Sequence, residues 1–315
     1  MATLQPTITS LPSSPLNPIN QKKVLLLSRL DGNKLIRIIN TIRQAGCEVV
    51  LVATALGYNY SLNEKNYDDL AARIRAVYTS VIDPPPVVTV TGISQLVPFL
   101  EALDPDLVIS WHFPYKLTES FLAHRSIKIN GHPSPLPLYR GSTIFPRAIL
   151  QQLPRWGIAW HYTTKNYDTG NILVQEFFEL QSPYGIQDII NRSHNSMFET
   201  LGKAIQMSLS GHLGEAQRQP TADEEQYGHP KPLTIAERTI TSGLSCHEVW
   251  ILVEACKNFL PALLNIDERL YQVIEARRLE IPLPFTLAVG EVRRMLHRYV
   301  QQCTDGQMEY VVRIV

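Results

Sequence analysis

An excess of charge of either sign is the first thing this chain lacks: 29 Lys plus Arg stand against 29 Asp plus Glu in 315 residues. With no global field the chain is not a generic binder of nucleic acid or of an anionic membrane, and either attachment would need a local patch. Long apolar runs are missing too. None reaches the roughly 18 residues of a membrane-spanning helix. The start carries no charged segment followed by an apolar one, so the expectation is a cytoplasmic protein without a membrane partner. Cysteine is scarce: Cys47, Cys246, Cys256 and Cys303 show no paired metal-ligand spacing, which points to reduced thiols and no metal site. Nor is there a Gly-x-Gly-x-x-Gly fingerprint. Ser28-Arg29-Leu30-Asp31-Gly32-Asn33 follows the first apolar run with a single glycine, which argues against a bound dinucleotide. A simple turn with Asn33 as helix cap and a phosphate cradle at a helix N-terminus both remain open there.

What is present is an ordinary globular composition, 44% hydrophobic and 18% charged, with length for about two domains. Residues 1–21 are rich in Ser, Thr, Pro and Asn without apolar periodicity and read as a flexible leader. From Lys22 the chain alternates. Strands are predicted at Val24–Leu27, Glu48–Thr54, Val87–Thr91 and Leu107–Trp111, with helices at Ile36–Ile42, Tyr67–Tyr78 and Ser94–Leu103. That alternation implies an α/β fold with an open, mostly parallel sheet covered by helices. Strands follow at Ile127–Asn130, Gly157–Tyr162 and Ile172–Leu180, then a long amphipathic helix at Ile186–Leu209. Residues 211–232 turn polar and read as a linker between a catalytic domain at 22–210 and a small C-terminal domain at 233–315. The latter is expected to be β-barrel-like, with a helix at Cys246–Phe259 and strands at Tyr271–Leu279, Phe285–Val289 and Met308–Val315.

The chemistry concentrates in Asn130-Gly131-His132-Pro133-Ser134-Pro135-Leu136-Pro137-Leu138-Tyr139-Arg140-Gly141, answered downstream by His161 and Asp168-Thr169-Gly170. Asn130 and His132, two apart on an extended segment, share one face, and Gly131 leaves the space between them open. The prolines stiffen the loop that follows. An imidazole can move a proton near neutral pH and an amide can donate to a developing oxyanion, the pairing that acyl transfer requires. Asp168, in a loop at a strand mouth, is the carboxylate that could orient the imidazole.

At these residues the chain resembles the folate-dependent formyltransferases, whose pattern is Asn-x-His-Pro-Ser-x-Leu-Pro-x-aromatic-Arg/Pro-Gly, then a strand with His, then Asp-x-Gly seven residues beyond it. Pro135 departs from the usual leucine. The resemblance covers about residues 22 to 210 and continues more faintly to the C-terminus. It is a resemblance to the methionyl-tRNA and amino-sugar types, with a catalytic domain like that of glycinamide ribonucleotide formyltransferase. It implies Asn130, His132 and Asp168 as catalytic residues and His161 as a support beneath the Asp168 loop. It also implies a 10-formyltetrahydrofolate pocket lined by Phe113, Tyr115, Leu117 and Tyr167. Arg140, Ser134, Gly32 and Asn33 are carried over as support or acceptor-binding residues. By this reading Asn130 and protonated His132 stabilise the oxyanion, and Asp168 orients His132 and helps pass a proton from the amine to the departing folate nitrogen.

The acceptor is argued from charge. Residues 221–315 hold 10 Lys plus Arg against 13 Asp plus Glu, a net charge of −3, and Tyr58–Asp69 has no basic cluster. A domain that grips tRNA should be basic. A small amine, such as a nucleotide-linked amino sugar, is therefore favoured. Methionyl-tRNA formylation is the alternative, and a non-catalytic folate-binding relative is the alternative of another class. A homodimer is left open.

Overall fold

The computed structural model describes residues 21–30, 32–55, 74, 78–257, 260–281 and 283–314. Residues 1–20 of the expected leader, Asp31, the segment Tyr58–Asp69 and nearly all of the helix expected at Tyr67–Tyr78 lie outside the described residues.

Seven strands form the first sheet, in the order β3-β2-β1-β4-β5-β6-β7. They are β1 (Lys22–Ser28), β2 (Cys47–Ala55), β3 (Val87–Val90), β4 (Leu107–Trp111), β5 (Ile127–His132), β6 (Arg155–Tyr162) and β7 (Ile172–Glu179). The first five pair in parallel, and β6 and β7 run antiparallel. The central strands are apolar on both sides, because helices cover both faces. On one face Val24, Leu26, Ile109, Trp111, Ile129 and Trp160 meet α1 (Gly32–Gln44) and α5 (Ile186–Leu209). On the other, Leu25, Leu27 and Val108 meet α2 (Val97–Leu103) and α3 (Glu119–Ala123) through Leu100 and Phe121. Between α3 and α5, α4 (Ile144–Leu150) follows the proline loop. The α5 boundaries are those the apolar period predicts. The single helix expected at Ser94–Leu103 is instead a 3-10 turn, Ile93–Leu96, followed by α2. Pro98 has no N–H for the bond that would join them.

The chain leaves β1 toward β2 on one side and β4 lies on the other, so the crevice beyond the carboxyl ends of β1 and β4 is the topological switch point, where ligands bind in open α/β sheets. The reversal at β6 matters as much. It places His161 directly across the ladder from Asn130, and Trp160 across from Gly131.

A second sheet has the order β11-β12-β13-β10-β9-β8, made of β8 (Thr239–Ile240), β9 (Ala262–Ile266), β10 (Arg269–Arg278), β11 (Val292–Met295), β12 (Arg298–Cys303) and β13 (Gly306–Ile314). The single turn α6 (Glu225–Gly228) precedes it. It packs on α7 (Cys246–Cys256), whose Ser245–Glu248 capping box closes with Glu248 N–H donating to Ser245 Oγ at 3.2 Å and Ser245 N–H donating to Glu248 Oε2 at 2.8 Å. No strand forms at Phe285–Val289. Pro284 cannot donate to a ladder, the Ala288 N–H goes to Glu291 Oε2 at 3.0 Å, and the edge strand is β11 instead. The two sheets are joined by contact. Ala255 of α7 is buried with Tyr139, Ile144 and Ile186, and Arg147 pairs with Glu237 at 2.5 Å.

Gly131 does not leave open space. A Cβ built there would fall 2.8 Å from the buried Trp160 ring and 2.3 Å from Met197 Cε. Met197 can yield but the indole cannot. Gly131→Ala should lose about 1–3 kcal/mol of stability by overpacking, read as a lower urea midpoint; an unchanged midpoint would contradict this packing.

Candidate active site

The site forms where β5 ends, the proline loop turns back, and the β6–β7 turn comes over it. Trp156 Nε1 donates to the Pro133 carbonyl at 2.9 Å and Gln175 Nε2 to the Leu136 carbonyl at 2.6 Å. Ser134 is fully buried and its hydroxyl donates to the Leu138 carbonyl at 3.1 Å. Ser134 therefore fastens the loop from inside, in keeping with the support half of the expectation for it.

Asn130, His132, His161 and Asp168 come together as the motif predicts. The Asp168 carboxylate is 9% exposed. Its Oδ2 accepts the Gly141 N–H at 2.8 Å and lies 3.6 Å from His132 Nδ1. Its Oδ1 lies 3.3 Å from Asn130 Nδ2 and 3.4 Å from His161 Nε2. Burial alone would raise its pKa, but the pull of His132, the His161 contacts and the Gly141 N–H outweigh it and hold the carboxyl well below the ordinary range. Asp168 is a permanent anion at neutral pH.

The imidazoles are oriented by carbonyls, which only accept. His132 donates from Nε2 to the Tyr139 carbonyl at 2.8 Å, so its neutral ring faces Asp168 with the Nδ1 lone pair. Burial lowers the His132 pKa more than Asp168 and the Tyr139 carbonyl raise it. At neutral pH His132 is therefore a base poised beside an anion, and a proton taken at Nδ1 would be stabilised by Asp168. His161 donates from Nδ1 to the Tyr162 carbonyl at 2.8 Å, leaving Nε2 to face Asn130 Nδ2 at 3.2 Å. Both amide protons of Asn130 thus have resting partners at the long end of hydrogen-bond range. Donation to an oxyanion would exchange one of these long bonds for a stronger, charge-assisted one.

Arg140 donates from Nη2 to Gln217 Oε1 at 2.8 Å, while its Nε is buried without a partner. Burial lowers its pKa against the pull of Asp168. Among the described residues it forms no ion pair, so a guanidinium beside the trio has donor capacity to spare.

Of the residues expected to line a folate pocket, Phe113 and Tyr115 meet edge to face at 5.6 Å and are half-buried at the margin of the α2–α3 cluster. Leu117, 8% exposed, belongs to that cluster's interior. Tyr167, beside Asp168, is 54% exposed, with Lys116 Nζ 5.2 Å from its ring centroid. Gly32, at φ 48°, opens α1. Asn33 therefore lies inside the helix and does not cap it; it lines an open groove of about 560 Å³ with Arg37 and Phe198.

A further group went unrecognised in the sequence. Lys34 Nζ lies 3.1 Å from His194 Nδ1, and His194 Nε2 lies 2.9 Å from His112 Nε2. Burial, then neighbouring positive charge, pushes His194 to about 3, and the groups crowding the exposed His112 lower it in the same direction, so both are neutral at pH 7. An ammonium only donates, which sets the direction of the chain: Lys34 to His194, His194 to His112, leaving His112 with its proton on Nδ1. His112 is exposed and stands at φ 57° just beyond β4. A polar His194 within the apolar stripe of α5 was the available signal. Asp168 and Tyr139 also adopt left-handed backbone, at φ 53° and 57°. Such conformations cost about 1–3 kcal/mol each and cluster where function constrains the chain.

Among the described residues no group of three metal-ligating side chains is present, and no helix is long and apolar enough to cross a membrane. All four cysteines are buried and free.

Comparison with known proteins gives the following. A family model described as Formyl transferase matches residues 22–205. The methionyl-tRNA formyltransferase of Borrelia turicatae is 28% identical over 176 residues, 56% of this chain and 55% of that one. The GDP-perosamine N-formyltransferase of Brucella melitensis is 28% identical over 171 residues, 54% of this chain and 64% of that one. Among solved structures, HypX from Aquifex aeolicus in complex with tetrahydrofolic acid superposes with a TM-score of 0.66 at 15% identity, over 94% of this chain and 44% of that one, a likeness of fold. The chain spans about half the length of the first curated relatives it matches.

The Asp168 carboxyl is held low, so its contribution to stability is complete above the ordinary carboxylate range and is lost as pH falls through the lowered value. Asp168→Asn should therefore be less stable than wild type at pH 7 by about 1–3 kcal/mol. The gap should narrow below about pH 4. Urea denaturation at several pH values checks this; a gap that widens toward acid would contradict an ionised, partnered Asp168.

Proposed function

The chain belongs to the formyl transferase family, and from that premise we propose that it transfers a formyl group from 10-formyltetrahydrofolate to the primary amine of a small molecule. The observation that carries this reading is the convergence of Asn130, His132 and Asp168 around one buried carboxylate. Residues 22–210 would form the catalytic domain, 211–232 the connection and 233–315 the smaller domain. The uncovered parts of the Phe113 and Tyr115 rings suit a flat heterocycle, and Tyr167, whose ring centroid lies 5.2 Å from Lys116 Nζ, would add to that wall. The folate, when bound, supplies the activated formyl carbon.

The chain's own residues do the rest. As the amine nitrogen bonds to the formyl carbon, negative charge grows on the formyl oxygen, and Asn130 Nδ2 donates to it. Removing such a donor typically costs about 3 kcal/mol of transition-state stabilisation. His132 accepts the amine's proton at Nδ1, where Asp168 stabilises the imidazolium, and the same proton is returned to the folate nitrogen as its bond to the formyl carbon breaks. The Gly141 N–H keeps the carboxylate aimed at His132.

For the acceptor, a small amine is favoured over tRNA by the −3 charge of residues 221–315, and an anionic group on it would suit the unpaired donors of Arg140 and Lys34 with its two neutral histidines. Gly32 and Asn33, at the start of α1, would assist with an acceptor phosphate. The relative acting on GDP-perosamine fits this class. Methionyl-tRNA is the second reading, favoured by the relatives that carry that name.

His132→Ala and Asp168→Ala should each lower kcat by about 10²–10⁴-fold with folate binding retained, followed as release of tetrahydrofolate. Wild-type turnover in either would remove these roles. Salt separates the acceptors. With a small amine, activity should change little between 50 and 200 mM salt, whereas a tRNA making 6–10 phosphate contacts would lose about 10³–10⁵ in affinity. Efficient formylation of methionyl-tRNA with that steep dependence would overturn the small-amine assignment.

A further inference from the structure

The polar stretch between α5 and the second sheet does more than connect. Gln217 lies in it, and the whole of its amide is engaged. Nε2 donates to two main-chain carbonyls of the turn that carries the site's anion, Asp168 at 2.9 Å and Gly170 at 2.8 Å, and Oε1 accepts from Arg140 Nη2 at 2.8 Å. The turn it grips is not one the chain adopts freely. Asp168 stands at φ 53°, and a Cβ on Gly170 would fall 1.8 Å from the Tyr162 carbonyl oxygen.

The same stretch also holds the facing loop. Tyr139 N–H donates to the Tyr227 carbonyl at 2.6 Å and Arg140 N–H to the Gly228 carbonyl at 3.1 Å. That loop supplies the Tyr139 carbonyl that orients His132 and the Gly141 N–H that meets Asp168. One end of the stretch is pinned as well, since Glu215 exchanges both main-chain hydrogen bonds with Ile172 at 2.7 Å. Two loops from different parts of the first sheet are therefore registered against each other by a segment belonging to neither.

We propose that Gln217 is a positioning residue for formyl transfer: by tying the Asp168 turn to the Arg140 loop, it sets the separation between the Asp168 carboxylate and the His132 imidazole. The proposal rests on the formyl-transfer reading above. A primary amide is the side chain this place requires, because it must donate twice to carbonyls and accept once from a guanidinium. Glutamate would keep the Arg140 partner and lose both donors. Methionine would fill similar space and make none of the three bonds.

The test uses Gln217→Met and Gln217→Glu in the full chain. Each should lower kcat by about 10²-fold, the order of effect of misplacing a catalytic group by about 1 Å, while the KM for 10-formyltetrahydrofolate stays near wild type. An independent readout is the His132 titration, followed by NMR of ring-labelled histidine. When the Asp168 turn relaxes, the anion that raises the His132 pKa moves away, so the Gln217→Met midpoint should fall by about one pH unit, the order of an opposite charge's effect at this range. Wild-type kcat in both variants, or an unmoved His132 midpoint in Gln217→Met, would overturn the proposal. If wild type transfers no formyl group to any amine, the titration still decides: a downward shift upholds Gln217 as the residue that sets this geometry while the formyl-transfer reading falls. If Gln217→Met does not fold, Gln217→Glu, which retains an Arg140 partner, carries the kcat test alone.

Discussion

A buried anion is the constraint on which the rest of this structure depends. The Asp168 carboxylate is 9% exposed and must be compensated where it lies. Compensation comes from a main-chain N–H at 2.8 Å and an amide N–H at 3.3 Å, while two imidazole nitrogens stand at 3.4 and 3.6 Å, where a proton taken up on either ring would be stabilised. The contacts are unequal, and the inequality is informative. The short one comes from backbone and fixes the carboxylate; the longer ones come from the side chains to which the proposed reaction assigns the chemistry, and their length would leave them free to exchange partners as charge develops.

The fold delivers those groups by register. Asn130 and His161 are cross-strand partners only because β6 runs antiparallel to β5, and His132 sits two residues beyond Asn130 on the same face. Gly131, between them, faces the opposite side, where Trp160 and Met197 close over it. A single strand segment thus anchors the core with one residue and presents reactive groups with its two neighbours. The crevice at the β1–β4 switch point adds a second polar group, Lys34–His194–His112, whose donor direction is set by the one member that is permanently charged.

Much of this was legible in the residues. The apolar period marks α5 to its ends, and the central strands stand out because burial on both faces makes them continuous apolar runs. Asn130, His132, His161 and Asp168 could be picked out because their types and spacing are local features of the chain. What was not legible depends on main-chain groups and on contacts between distant segments. The Tyr139 carbonyl and Gly141 N–H carry no side-chain signature. Gln217 lies in a polar stretch without periodicity, and its role exists only once the Asp168 turn and the Arg140 loop are side by side. The inward turn of the Ser134 hydroxyl to the Leu138 carbonyl likewise leaves no mark in the sequence. The strand expected at Phe285–Val289 failed for a similar reason: side-chain and main-chain partners from neighbouring residues captured the groups a ladder would have used.

The central claim is that the Asp168 anion and the neutral His132 base move a formyl group onto an amine. It is tested most directly by following the carbon itself. Donor carrying ¹³C at the formyl position, incubated with wild-type protein and a panel of amino-sugar nucleotides, should give a new ¹³C formamide resonance on one acceptor, absent when Asp168→Asn replaces the wild type. Label that stays on the folate with every amine offered, or that appears only as formate at the same rate with wild type and Asp168→Asn, would contradict the account.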